Sequence, residues 1–367
     1  MKEKLEALLE RLRNSQPDLS RKQLVAGFDG FIDSIQKVVF NHPENNQPEY
    51  FKTIKDFGQY ISAKETGGLS LETEEIVKKM GGNVPITANA VAQFGVSSHC
   101  IGAFGYPDID PVFSDMHENT FLHSFANPGI TSALEFNDGK IMLAQMSDLN
   151  MANWELIKGR IGLKQIIEMV ESSDMICLLN WSEVRHTYEI WEGLLREVFP
   201  LISRRSRNRV FFDLSDCSKY SSHRIRKALE LIQQFTVWCD VTLSLNKNEA
   251  SLVYQAIYSS SCDDPESSGI KIFQFLNINT LVVHTSTKSL AWRDSLMYQS
   301  DTFVVENPRI STGAGDNFNA GFCIGQLIEL EADQSLILAN WLAACYMKNG
   351  RSPGLPELQS FINDSKS

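Results

Sequence analysis

The sequence predicts an α/β protein: a doubly wound, mainly parallel central sheet flanked by helices, with a small β lid. Three observations predict it. Apolar runs near residues 23–27, 98–104, 174–179, 209–213, 239–245 and 279–284 alternate with helical periodicity near 84–94, 161–172, 184–198, 222–235 and 247–258. Such alternation implies parallel strands joined by right-handed crossovers. Polar or glycine-rich turns fall at the carboxyl ends of the runs, where open α/β sheets collect their ligands. Finally, two segments break the rhythm, about 34–52 and about 119–149, and these supply the lid.

The chain begins with Met1-Lys2-Glu3-Lys4-Leu5-Glu6-Ala7-Leu8-Leu9, charged and amphipathic, which predicts a helical segment over 1–22 and not a signal peptide. A single large domain, 23–367, follows. Leu24-Val25-Ala26 reads as its first strand and runs into Gly27-Phe28-Asp29-Gly30-Phe31-Ile32-Asp33. Asp29 lies nearer the strand end and is the favoured ligand; Asp33 is the alternative, and a plain turn role suits at least one of them. Gly81-Gly82-Asn83 opens a helix with Pro85 in its first turn and Gly95 at its end. Ser132 to Ala144 reads as a hairpin around Asn137-Asp138-Gly139. Val241 to Leu245 is a strand ending at Asn246-Lys247-Asn248-Glu249, whose ends have the spacing of a capping box. The polar stretch 259–269 reads as an exposed connection, and Leu281-Val282-Val283 as a strand leading to His284-Thr285-Ser286-Thr287-Lys288-Ser289.

Phe303-Val304-Val305 reads as a strand before the glycine turn Thr312-Gly313-Ala314-Gly315-Asp316, with a helix opening at about Gly315. Nothing bulky covers that backbone, so a phosphate can approach amides that have no partner within the helix, at the positive end of its dipole. Asp316 in the first turn is favoured by the same field and stands where a base would take a proton from an attacking hydroxyl. Phe318 occupies the place where a dinucleotide fingerprint needs a small residue, and no loop ends in Gly-Lys-Ser/Thr. What remains is an anion hole with its own aspartate.

This turn resembles the C-terminal signature of the ribokinase-like, or PfkB, family of carbohydrate and nucleoside kinases, and further landmarks follow in the family's order along roughly residues 24 to 350. The resemblance implies ATP-dependent phosphorylation of a sugar hydroxyl, with Asp316 as general base and Gly313, Ala314 and Gly315 as the anion hole. It implies sugar contacts from Asp29 or Asp33 and from Gly81, Gly82 and Asn83, with Pro85 standing where the family usually has an asparagine. Glu249 of the Asn-x-x-Glu motif would help hold Mg²⁺ and its waters. Asn246, Thr285, Ser286, Lys288, Thr312 and Asn340 would touch the nucleotide. Departures are plain: Ile310 replaces a leading acidic residue, and Ser286 and Ser289 replace two glycines. In the family the lid covers the sugar and in some members pairs two subunits, so a homodimer through the lid is an expectation. A monovalent cation is left open, as are two other readings: a nucleoside kinase, and a binder that no longer transfers phosphate.

Composition fits these expectations. The chain has 367 residues, 43% of them hydrophobic, enough for a large core. Its net charge of −11 argues against nucleic acid or an anionic membrane as partner. The seven cysteines include no Cys-x-x-Cys pair and read as reduced thiols of a cytoplasmic protein without a zinc site.

Overall fold

The computed structural model describes residues 2–44, 47–64, 67–203 and 208–365. Its strands are β1 (Gln23–Gly27), β2 (Phe31–Asn41), β3 (Glu49–Tyr50), β4 (Thr73–Gly81), β5 (Ser97–Gly102), β6 (Thr120–Ser124) and β7 (Gly129–Phe136). They continue with β8 (Gly139–Gln145), β9 (Met175–Leu178), β10 (Arg209–Asp213), β11 (Asp240–Asn246), β12 (Thr280–His284), β13 (Lys288–Arg293) and β14 (Leu296–Asp301). Nine form one sheet in the order β14-β13-β12-β11-β10-β9-β1-β5-β6. It is parallel from β12 to β6, and β13 and β14 are added antiparallel at one edge. The predicted doubly wound architecture is the one observed.

Strand alternation builds the two layers. Val25, Ile176, Val210, Phe212, Leu243 and Leu245 point to one side, packing with the helices Ser222–Phe235 and Lys247–Tyr258. Leu24, Ala26, Cys177, Phe211 and Val282 point to the other, against the helices Asn83–Ala92, Ala314–Leu327 and Ala332–Asn349. Both faces are thus covered, as a parallel sheet requires. The N-terminal helix, Lys2–Asn14, belongs to the second layer: Leu5, Leu8, Leu9 and Leu12 are buried there with Leu358 and Ile362 of the last helix, Leu355–Asp364. All seven cysteines are free thiols. Among the described residues no helix is long and apolar enough to cross a membrane.

The lid is a second sheet in which β2 pairs with β4 on one side and β7 on the other, β7 pairs with β8, and β3 joins the far end of β2. The predicted hairpin is present, with Phe136 opposite Gly139. The lid boundaries differ from those expected. Asn45 and Asn46, inside the first expected segment, lie outside the described residues. Strand β4 was not expected: Thr73 to Lys78 are exposed on both faces, so no apolar alternation marks it. Strand β6 lies within the second expected segment yet pairs with β5 in the main sheet.

Two further expectations are corrected. Residues 303–305 are not a strand; the chain is irregular from 302 to 310, and the ring of Phe303 packs on Trp341 and Phe361 instead of joining a pleat. The stretch 259–269 is a connection only to Asp264, which caps a helix over Pro265–Leu276. Proline at the first helical position and an aspartate before it are a start signal hidden within a polar run.

Candidate active site

Two glycines, Gly81 at the end of β4 and Gly82 before the helix Asn83–Ala92, shape the first part of the site. A Cβ on Gly81 would stand 2.5 Å from Asp33 Oδ2, and one on Gly82 would stand 3.0 Å from Asp29 Oδ2. Gly82 also has φ of +97°, which side chains rarely adopt. Each glycine therefore makes room for one aspartate, and the two carboxylates have different surroundings.

Asp29 is wholly enclosed and caps the helix Asn83–Ala92. Its Oδ2 accepts from Asn83 N at 2.8 Å and Asn180 Nδ2 at 2.5 Å, and its Oδ1 from Val84 N at 2.8 Å. Burial pushes its pKa up to about 6 against the pull of these donors. Asp33, 8% exposed, sits on lid strand β2, opposite Lys79 of β4 and Thr131 of β7. Burial raises its pKa as well, opposed by the charges of Lys79 and Lys140 and a hydrogen bond from Thr131. Asp29, the aspartate favoured from the strand spacing, has its oxygens occupied by the fold. Asp33 lies on the lid with fewer protein partners.

Asn83 is held by its side chain as well as its amide. Its Nδ2 donates to Asp213 Oδ1 at 3.2 Å and Ser215 Oγ at 3.0 Å. Asp213, at the end of β10, also accepts from Ser215 N and, through Oδ2, from Asn319 Nδ2 at 2.7 Å. Asn319 is one helical turn beyond Asp316, so Asp213 ties the Gly-Gly segment to the helix that carries the aspartate. Burial raises the Asp213 pKa to about 6. The sequence marks this residue only as a polar end to a buried apolar run.

The helix Ala314–Leu327 starts after Gly313, which has φ of +92° and on which a Cβ would meet Tyr346 Oη at 2.5 Å. Tyr346 donates to Thr312 O at 2.8 Å, and the amides of Arg309 and Ile310 donate to Met347 O, so the approach to the turn is strapped to the helix Ala332–Asn349. The amide of Ala314 donates to Ser311 O at 3.1 Å. Among the described residues the amide of Gly315 has no acceptor, and the nearest atom to a Cβ there would be His284 Cε1 at 3.9 Å. Asp316 is 9% exposed, and its pKa is pushed well above the usual carboxylate range, by burial first and then by the charges of Asp213 and Asp29.

Glu249 forms the capping box expected at the end of β11: its carboxylate accepts from Asn246 N at 2.8 Å and Asn246 Nδ2 at 2.5 Å, while Asn246 Oδ1 accepts from Glu249 N at 2.9 Å. Burial, with Asp213 beside it, raises its pKa strongly. No group of three or more metal-ligating side chains occurs among the described residues. A divalent cation here would rely on phosphate oxygens and water, as Mg²⁺ commonly does, and its charge would favour the ionised form of Glu249.

A cavity of about 450 Å³ lies beside the turn. It is lined by Asn246, Thr285, Ser286 and Gly315 together with apolar Phe303, Val305, Ala343 and Met347. The size and polarity suit a nucleotide. Not every expected contact is free to serve it. Lys288 is paired with Glu266, and Thr285 Oγ1 accepts from the amides of Thr287 and Lys288 to shape the turn. Asn340 lines the cavity, yet its Nδ2 donates to Ser289 Oγ at 2.8 Å. Ser286 and Ser289 fill the two glycine positions without positive φ, so the loop keeps ordinary backbone geometry.

The prokaryotic ketohexokinase family model matches residues 1–365. A ketohexokinase of Haloferax volcanii is 26% identical over 359 residues, covering 96% of this chain and 94% of that protein. Among solved structures, a phosphofructokinase-2 variant from Escherichia coli superposes with a TM-score of 0.65 at 13% identity, covering 94% of this chain and 99% of the other. The ribokinase of Thermotoga maritima gives 0.62 at 16% identity, covering 93% and 99%. A ribokinase II of E. coli, described as in complex with ATP and Mg²⁺, gives 0.62 at 12%, covering 94% and 99%. At such identities the structures establish the ribokinase-like fold, while the match over nearly the whole length identifies the lineage: the chain belongs to the prokaryotic ketohexokinase family.

Proposed function

We propose that this carbohydrate kinase transfers the γ-phosphoryl group of ATP to a hydroxyl of a ketohexose. The observation that carries the reading is a buried carboxylate, Asp316, one residue from the unpartnered amide of Gly315, which lines a nucleotide-sized cavity, with the lid aspartate Asp33 near enough for its charge to act on Asp316. Asp33, with Thr131 and Lys79 beside it, would accept hydroxyls of the sugar. Asp29 and Asp213 act one step back: they fix the Gly-Gly segment and the orientation of Asn83. Asp316 takes the proton of the reacting hydroxyl as that oxygen bonds to the γ-phosphorus, and the bond from phosphorus to the bridging oxygen breaks to release ADP. The Gly315 amide and the helix dipole favour the charge gathering on the transferred group. Mg²⁺ held near Glu249 would neutralise phosphate charge. The lid would exclude water, the competing acceptor. The exposed side chains of Ile130, Met142 and Leu143 on the lid support a pairing of two subunits there.

The test is ADP release with ATP and Mg²⁺ against ketohexoses, aldohexoses, pentoses, sugar phosphates and nucleosides, with Asp316→Asn protein as the blank. Turnover on a ketohexose that vanishes in the variant, while sugar binding persists, is the expected result. Turnover confined to nucleosides would replace the substrate assignment. A variant retaining most of its rate would remove Asp316 from the mechanism.

A further inference from the structure

Asn317 follows Asp316 in the helix Ala314–Leu327, and the reading above gives it no task. It is fully buried, yet it is polar. Its Nδ2 donates to Gly313 O at 2.9 Å, and its backbone amide donates to the same oxygen at 3.0 Å. Among the described residues its Oδ1 has no partner. A buried carboxamide with one end unmatched costs free energy that alanine, the best helix former, would avoid. Breaches of a local rule of this kind gather at functional sites. What the side chain gains is the second bond to Gly313 O. That bond closes a ring around Gly315 and Asp316, which lie between its two anchor points.

Gly313 is the pivot of the turn. Its φ of +92° sets the direction in which the first helical amides leave, and its carbonyl is the point at which that direction is held. Of those amides, that of Ala314 donates to Ser311 O and that of Asn317 to Gly313 O, while that of Gly315 has no acceptor among the described residues. From the other side Tyr346 donates to Thr312 O at 2.8 Å, and its hydroxyl leaves no room for a Cβ on Gly313. Two neutral side chains thus hold adjacent carbonyls, and Ile310, standing in place of an acid, adds no ion pair to the brace. We propose that Asn317 is a positioning residue for phosphoryl transfer: its side chain, with Tyr346 opposite, holds Gly313 so that the Gly315 amide and Asp316 are aimed together before the substrates arrive. This deepens the kinase reading and rests on it. The donors it aims act mainly on charge that develops during transfer, so its loss belongs in kcat and not in ground-state affinity.

The test compares wild type, Asn317→Ala, Asn317→Ser and Tyr346→Phe in the full chain, by coupled ADP release, calorimetry with ADP and with sugar, and thermal unfolding. Asn317→Ala should lose about ten- to a hundredfold in kcat, the range for groups misplaced by up to about 1 Å. Its KM values for ATP and sugar, and both Kd values, should stay within about twofold of wild type. The loss should persist well below the variant's melting temperature, where a role in stability alone would leave the rate intact. A serine in a helix bonds back to the carbonyl four residues earlier, which here is Gly313 O, so Asn317→Ser should recover most of the rate. Tyr346→Phe, which frees the adjoining carbonyl, should show the same split between kcat and KM. Should the alanine variant fail to fold, Asn317→Val and Asn317→Thr, alike in shape and differing by the hydroxyl donor, carry the same comparison. An unchanged kcat, a rate lost equally with and without the hydroxyl, or a loss confined to KM would each overturn the proposal and leave the kinase reading standing. A wild type that turns over no acceptor would overturn both.

Discussion

Gly81→Ala separates the recognition of sugar from the stability of the fold. The new Cβ would stand 2.5 Å from Asp33 Oδ2, 2.6 Å from Cγ and 2.8 Å from Oδ1, where ordinary contact begins near 3.4 Å. The carboxylate must therefore retreat by about 0.9 Å, the difference between 3.4 and 2.5 Å. It is the end of a side chain held by Thr131 and the charges of Lys79 and Lys140, so a shifted rotamer at about 0.5–1.5 kcal/mol is the main structural cost. Alanine also restricts the unfolded chain, which stabilises by about 0.4–1 kcal/mol where φ is not positive, as at Gly81. The two effects nearly cancel, and the melting temperature should move by no more than a few degrees. Sugar binding should not escape so lightly. A hydroxyl donating to a carboxylate contributes about 1.5–3 kcal/mol, and losing that geometry weakens binding roughly 10- to 150-fold. Sugar KM from coupled ADP release, sugar Kd by calorimetry and thermal unfolding by circular dichroism read the three quantities. Asp33→Ala should show a similar loss, and the double variant should lose little more, because both act through one carboxylate. Unchanged sugar KM in Gly81→Ala, or losses that simply add in the double variant, would refute the placement of Asp33 at the sugar.

Two further outcomes are expected. The raised pKa of Asp316 means that the base is protonated at pH values where an ordinary aspartate is ionised, so kcat/KM should rise with pH through a limb displaced upward from the usual carboxylate range and fall away below it. A profile flat down to about pH 4 would exclude Asp316 as the titrating base. Asn246→Ala removes the acceptor for Glu249 N and the donor to its carboxylate, and should destabilise by about 1–2 kcal/mol in chemical denaturation. It should also raise the Mg²⁺ concentration needed for half-maximal rate; a stability loss with no such change would confine the box to capping.

Much of this site is legible in the chain because its chemistry needs particular residues at local spacing. The turn from Thr312 to Asp316 and the Asn246–Glu249 pair are each complete within five residues, and each forms at a helix start as expected. Features that depend on two distant segments are less accessible. That Asp29 lies against Gly82 and Asp33 against Gly81 depends on a segment far along the chain. Strand β4 is held by pairing with β2 and not by burial, so its charged sequence carries no period to read. Val304 and Val305 are apolar because they border a cavity, and a run of three apolar residues cannot tell a cavity wall from a strand.

The packing of the first helix against the last has a consequence for how the protein is made. A ribosome delivers Leu5, Leu8, Leu9 and Leu12 long before Leu358 and Ile362, which share the same buried layer. Until that later helix is made, part of the leucine face lacks its partner and is open to chaperones or to the wrong chain. The layer can close only after the helix bearing Asp316, which precedes the helix Leu355–Asp364, has been made. The same joint makes these two helices interdependent: removing the helix Leu355–Asp364 would uncover the helix Lys2–Asn14, so a change in one is felt at the other.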